Sequence, residues 1–303
     1  EKEVKNPVEL KDVKGNITKL NPSEILASMY GGDSIMSMAS GTVSVFTEMV
    51  DNDAMAKSSY KMLKGSWPEN YDEMSKKAAE IMIEIVKNNP NAVLGLATGS
   101  SPIGMYQYMA KDCKENGTSY KNVSTVNLDE YVGLTADHDQ SYAYFMKTNL
   151  FDNIDIDQNN TNLPCGSAPD AQKECDRYNA LLETMKQDVQ VLGLGSNGHI
   201  GFNEPSDHFT AGTNCVTLTQ RTIDANSRFF ASADEVPKKA LTMGVRAIMQ
   251  AKKILMVVTG ADKAEILEQA FFGPITPNVQ ASLVQIHPDV VLVADEAAMS
   301  VIL

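Results

Sequence analysis

The sequence predicts an α/β fold with a mostly parallel sheet, and two features carry that reading. The apolar runs Ala92–Ala97, Val123–Leu128, Val189–Leu194, Ile254–Thr259 and Val290–Ala294 are too short for helices, and helical stretches lie between several of them. Strands buried on both faces read as such near-continuous apolar runs, and their alternation with helices marks a parallel sheet. The first helix begins near Tyr71: Met74, Ala78, Ile81, Met82 and Ile85 recur at helical spacing, and Asn88-Asn89-Pro90 stops it. After Ala92–Ala97 comes Thr98-Gly-Ser-Ser-Pro102, and Pro102 suits the first position of a second helix. Asp170–Lys186 and Ala261–Phe272 supply further helices.

Composition narrows the function classes. The chain has 303 residues with 26 Lys+Arg against 39 Asp+Glu, a net charge of −13. Such a balance argues against a protein whose task is to neutralise nucleic-acid phosphates, yet a pocket for a small anion needs only a few local donors. No window approaches the apolar length of a membrane span, so no membrane partner is expected. The charged start, Glu1–Leu10, shows no secretory signal. The four cysteines (Cys113, Cys165, Cys175, Cys215) form no C-x-x-C pair, which suggests idle thiols in a reducing cytoplasm. The four histidines lack metal-ligand spacing, so no metal is expected. The chain divides near residue 62, into an N-terminal extension of unknown role (1–62) and an α/β domain (63–303). The extension holds a short helix-like piece, Ser23–Tyr30, and six of the 16 methionines lie between Met29 and Met62.

In an open α/β sheet, ligands bind outside the carboxyl ends of the strands. Those ends carry Thr98-Gly99-Ser100-Ser101, Asp129-Glu130-Tyr131, Gly195-Ser196-Asn197-Gly198-His199 and Gly260-Ala261-Asp262-Lys263. The Gly99–Ser101 loop before a helix suits an anion, since backbone N–H groups and hydroxyls converge there with the helix dipole. It equally suits a plain strand-to-helix turn with serine caps. Lys263 and Arg228 are candidates to add charge to the anion or to sit as solvated surface. Gly193–Gly198 formally matches G-x-G-x-x-G, but Gly201 and Pro205 spoil the helix a dinucleotide site needs, and no acid ends the next strand. A nicotinamide cofactor is therefore rejected. His199 and Glu204 share one loop with Asn197, an arrangement in which a carboxylate fixes the tautomer of a proton-shuttling imidazole. A structural histidine is the alternative. Asp129 closes Val126–Asp129 and becomes an effective base if burial raises its pKa, whereas a turn cap is the commoner role. Glu130 is expected to point the other way.

Several of these stretches are also familiar. Leu94–Pro102, Asn127–Tyr131 with Val132-Gly-Leu, Gly195–Pro205, Ala225–Phe230, Val236–Gly244 and Gln285–Pro288 resemble, in order, the glucosamine-6-phosphate deaminase family over about three quarters of the chain. The resemblance implies a Rossmann-like three-layer αβα fold with its active site at the carboxyl ends of the strands. It implies conversion of glucosamine 6-phosphate and water to fructose 6-phosphate and ammonia without a redox cofactor. Asp129 would move the proton between C2 and C1, and His199 would assist ring opening with Asn197 and Glu204 as supports. Gly99, Ser100, Ser101, Arg228 and Lys263 would hold the phosphate.

Four departures stand out. The segment before Tyr71 lacks the family's usual first strand, of which Tyr60–Lys64 is a candidate remnant. Gly212–Thr217 lacks the basic residues of allosteric members, which argues against activation by N-acetylglucosamine 6-phosphate. Ser101 stands where threonine is common, and Asn197 where some relatives carry Asp. Two other readings are a 6-phosphogluconolactonase-like hydrolase and a non-catalytic sugar-phosphate sensor. Asn127–Tyr131 and Phe202–Pro205 favour the deaminase, and residues 1–62 lack a basic DNA-binding segment. Assembly is left open between a monomer and a homo-oligomer.

Overall fold

Near the N-terminus two short runs pair as an antiparallel hairpin, β1 (Val8–Lys11) and β2 (Ile17–Leu20), with Val8 opposite Leu20 and Lys11 opposite Ile17. They belong to a unit spanning Glu1–Gly65, and a second unit spans Ser66–Leu303. The computed structural model describes this hairpin and residues 68–303 except 228, 229, 231, 233 and 234; of residues 221, 225 and 226 it describes the backbone alone. The helix expected at Ser23–Tyr30 and the strand remnant at Tyr60–Lys64 lie outside the described residues, as does Arg228.

The second unit opens with helix α1 (Tyr71–Asn88), capped by the Asn70 side chain, which accepts from the N–H groups of Asp72 and Glu73. Two acids in its first turn and Lys87 in its last suit the helix dipole. Met74, Ala78, Ala79, Met82 and Val86 lie on its buried face; of the residues read at helical spacing, Met74, Ala78 and Met82 are buried, while Ile81 and Ile85 are only half-buried. The apolar runs become strands β3 (Val93–Leu96), β4 (Ser124–Asn127), β7 (Val189–Leu192), β10 (Ile254–Val258) and β11 (Val290–Ala294). Strand β6 (Thr161–Asn162) has two polar residues, too few to betray a strand in the sequence. Between them run α2 (Ile103–Asn116), α3 (Tyr142–Asn149), α4 (Ala171–Thr184), α5 (Gln220–Asn226), α6 (Val245–Met249), α7 (Ala264–Phe272) and α8 (Glu296–Met299). Pro102 proves to be the N-cap of α2 rather than its first residue.

These six strands form one sheet in the order β11-β10-β7-β3-β4-β6, and every neighbouring pair is parallel. The first of them in the chain, β3, therefore lies inside the sheet, with later strands added on one side and then on the other. The order reverses between β3 and β7, and the crevice beyond their carboxyl ends is where such a sheet binds its ligand. A second sheet stands beside the first: β5 (Asp129–Tyr131), β9 (Lys239–Thr242) and β8 (Asn214–Thr217), antiparallel in the order β5-β9-β8. Only Leu128 separates β4 from β5, so one segment of chain serves both sheets. Its bend is held by Leu128, whose N–H donates to Leu96 and whose carbonyl accepts from Met243.

Tyr178, on α4, pins the end of β4. Its hydroxyl accepts from the Asn127 N–H at 3.0 Å and donates to the Asn127 carbonyl at 2.6 Å, and its ring is wholly buried. Both groups are beyond the reach of water, so losing the hydroxyl strands them. Tyr178→Phe is expected to lower the unfolding free energy by about 1–3 kcal/mol, read as a reduced urea midpoint at unchanged slope.

Candidate active site

A cavity of about 380 Å³ occupies the crevice at the switch point, large enough for a hexose phosphate. The loop after β3 lines it with Thr98, Gly99, Ser100 and Ser101; the loop after β7 contributes Gly195, Ser196, Asn197 and His199. Asp129 enters from β5 and Lys263 from the turn after β10. Of the nine residues singled out in the sequence, seven thus share one cavity. Glu204 stands behind His199, and Arg228 lies outside the described residues.

Asp129 is buried, 6% exposed, at the first position of β5 opposite Thr242. Burial, and secondarily the charge of Glu130, push its carboxyl up to about 8. Glu130 turns away, as strand alternation requires. Its oxygens accept from the N–H groups of Tyr131, Tyr142 and Ala143 at 2.8–2.9 Å, so it caps α3 from outside while burial holds its own pKa raised. Asp129 and Tyr131 share the cavity face, two residues apart.

His199 depends on its glycines. A Cβ on Gly195 would lie 2.3 Å from the imidazole, so only glycine lets the ring sit there. Gly198 and Gly201 hold φ of 84° and 60°, a region costly for other residues. The G-x-G-x-x-G pattern therefore builds a histidine seat, and the next regular element after it is strand β8, not a helix. The His199 Nδ1 faces Glu204 Oε1 at 3.6 Å, in ion-pair range but longer than a hydrogen bond. Burial alone would raise the Glu204 carboxyl. The imidazole, the Thr222 hydroxyl at 2.5 Å and the Asn197 amide at 2.6 Å outweigh it and hold it down to about 2. Asn197 acts on the histidine through the main chain: its Oδ1 accepts from the His199 N–H at 3.2 Å rather than touching the ring.

The loop after β3 turns at Gly99, φ 97°. An added Cβ there would meet nothing within 4 Å, so backbone conformation rather than space demands glycine. Among the described residues, the N–H groups of Gly99, Ser100 and Ser101 have no acceptor, and all three residues line the cavity. Lys263 follows a turn fixed by Asp295, which accepts from the Thr259 hydroxyl at 2.5 Å, from the Gly260 N–H at 3.1 Å and from the Ala298 N–H at 2.8 Å.

The aromatic wall was missed in the sequence. Tyr131 packs against Tyr142 with ring centroids 4.8 Å apart, and Tyr142 stacks on Phe202 at 5.9 Å; Phe230 closes edge-on against Tyr131. A period-2 signal from Asp129 would have found Tyr131, but α3 carries too weak a pattern to place Tyr142.

The fold and cavity are those of a small-molecule enzyme of the open parallel α/β class, with a buried carboxyl, an imidazole and the Gly99–Ser101 loop lining one cavity. Residues 68–292 match the family described as glucosamine-6-phosphate isomerases/6-phosphogluconolactonase, and the chain belongs to that family. It is 51% identical over 230 residues to a glucosamine-6-phosphate deaminase of Clostridium perfringens, covering 76% of this chain and 95% of that one. It is 50% identical over 234 residues to one of Thermoanaerobacter pseudethanolicus, covering 77% and 92%. The solved structure of a monomeric glucosamine-6-phosphate deaminase matches with a TM-score of 0.76 and 42% identity, over 78% of this chain and 99% of that one. A 6-phosphogluconolactonase from Trypanosoma brucei shares the fold, with a TM-score of 0.62 at 17% identity over 78% and 98%. Among the described residues no helix is long and apolar enough to cross a membrane.

Gly195→Ala tests the histidine seat. The variant is expected to fold, at a cost of about 1–3 kcal/mol, with the imidazole displaced from Glu204; a crystal structure of the variant reads the displacement directly.

Proposed function

We propose that the chain deaminates glucosamine 6-phosphate, giving fructose 6-phosphate and ammonia. The observation that carries the reading is a buried carboxyl with a raised pKa, Asp129, sharing one cavity with a carboxylate-seated imidazole and a loop whose N–H groups at Gly99, Ser100 and Ser101 have no acceptor among the described residues. Identity of about half to several curated deaminases supports the same substrate over the lactone of the lactonases, which are similar in fold alone.

The residues divide the chemistry as follows. The N–H groups and hydroxyls of Gly99–Ser101, with Lys263 and Arg228, hold the phosphate. His199 moves a proton between O1 and the ring oxygen to open the sugar, oriented by Glu204 and Asn197. Asp129 as carboxylate takes the C2 proton; the C2–H electron pair forms the C1–C2 double bond and O1 gains a proton. Asp129 then returns its proton to C1, leaving a C2 imine. Water adds at C2 and ammonia departs, which balances the overall reaction. A base with a pKa near the working pH serves both directions of transfer. Nothing in this sequence of steps calls for nucleic acid or a membrane, and we read the small-molecule partner as the sugar phosphate, in a cytoplasmic setting.

The test is ammonia and fructose 6-phosphate release from glucosamine 6-phosphate. The parent is expected to release both in equal amounts, and Asp129→Asn to lose roughly 10²–10⁴-fold in kcat. A folded parent that binds the sugar phosphate and returns it unchanged would contradict the reading and favour a sensor. The pH profile has a definite sign. The base works ionised and its pKa lies near 8, so kcat/KM should fall about tenfold per pH unit below that midpoint.

A further inference from the structure

The anion loop is braced from outside the cavity by Tyr71, the first residue of α1. Its hydroxyl donates to the Ser100 carbonyl at 2.9 Å and accepts from the Gly104 N–H, in the first turn of α2, at 2.8 Å. Close approach of the two helices makes this reach available. A Cβ on Gly104 would lie 2.3 Å from the Ser75 hydroxyl and 3.2 Å from the Tyr71 ring.

The consequence follows from peptide planarity. In a trans peptide the carbonyl of one residue and the N–H of the next point in opposite directions. Drawing the Ser100 carbonyl toward α1 therefore aims the Ser101 N–H away from α1. Ser101 lines the cavity, and its N–H has no acceptor among the described residues. A flip of that peptide would instead present a carbonyl oxygen to the anion. The free loop has little of its own to prevent this: within the chain segment the Ser100 carbonyl accepts only a long bond, 3.4 Å, from the Ile103 N–H.

We infer that Tyr71 is a positioning residue for the anion loop. Its hydroxyl holds the Ser100–Ser101 peptide with its N–H toward the cavity and so sets the affinity for the phosphate of the substrate. This rests on the reading of that loop as the phosphate site given above.

The experiment compares the parent, Tyr71→Phe and Tyr108→Phe. The Tyr108 hydroxyl donates to both Asp72 carboxylate oxygens, at 2.9 and 3.0 Å, so its loss removes a comparable bond between the same two helices away from the loop. Binding of inorganic phosphate is measured by calorimetry, and kcat and KM on glucosamine 6-phosphate in parallel. In Tyr71→Phe the phosphate Kd and the substrate KM should rise together by about five- to tenfold, the size of one to one and a half net hydrogen-bond contributions, with kcat within about twofold. Tyr108→Phe should leave all three at parental values. Unchanged phosphate affinity in Tyr71→Phe, an equal loss in Tyr108→Phe, or no phosphate binding by the parent would each overturn the inference. If the parent binds phosphate and Tyr71→Phe weakens it, but the parent turns over no glucosamine 6-phosphate, the brace stands and the deaminase reading falls.

Discussion

The site depends on one constraint: a carboxyl group kept out of water where two sheets share a single segment of chain. Asp129 follows β4 after one residue and opens β5, so the parallel sheet delivers it to the crevice and the antiparallel sheet closes over it. Among the described residues no cation pairs with it. Burial thus acts without compensation and favours the protonated form. Its neighbour Glu130 meets the same burial but spends its charge on three backbone N–H groups. Two adjacent carboxyls therefore hold different roles, and strand alternation is what separates them.

The loop after β3 works by the reverse logic: among the described residues the N–H groups of Gly99, Ser100 and Ser101 have no acceptor, while Lys263 pairs with Asp262 at 3.2 Å. Gly99 turns the loop, Tyr71 takes up its carbonyl, and Asp295 fixes the turn that brings in Lys263. Behind His199, the Glu204 carboxyl is held well below the usual carboxylate range by the imidazole and by hydrogen bonds from Thr222 and Asn197.

How much of this could be read from the sequence follows from the length and contrast of each signal. Most of the apolar runs were legible because central strands are largely apolar along their length; Val123–Leu128, interrupted by Ser124, Thr125 and Asn127, was the weakest of them. Strand β6 was not, since Thr161-Asn162 carries neither length nor apolar contrast. The antiparallel sheet was not read: Asp129–Tyr131 seemed a strand end because its pairing with β9 is supplied by residues more than a hundred positions away. Asp129, His199 and the Gly99–Ser101 loop were found because strand ends mark the ligand crevice. The wall of Tyr131, Tyr142, Phe202 and Phe230 was not, since its members come from four separate stretches that only tertiary packing assembles. Tyr71 was read as the first turn of a helix, and nothing local reveals that its hydroxyl reaches a loop 29 residues on.

The most direct test of the account is the titration of Asp129 itself, followed by carbon-13 NMR on protein labelled at the aspartate carboxyls, with Asp129→Asn assigning the resonance. A midpoint near 8 in the empty enzyme is the predicted result. A midpoint in the ordinary carboxylate range, about 4, would contradict it, because the group would then be a solvated or paired acid and the base assigned to the cavity would have to be sought elsewhere.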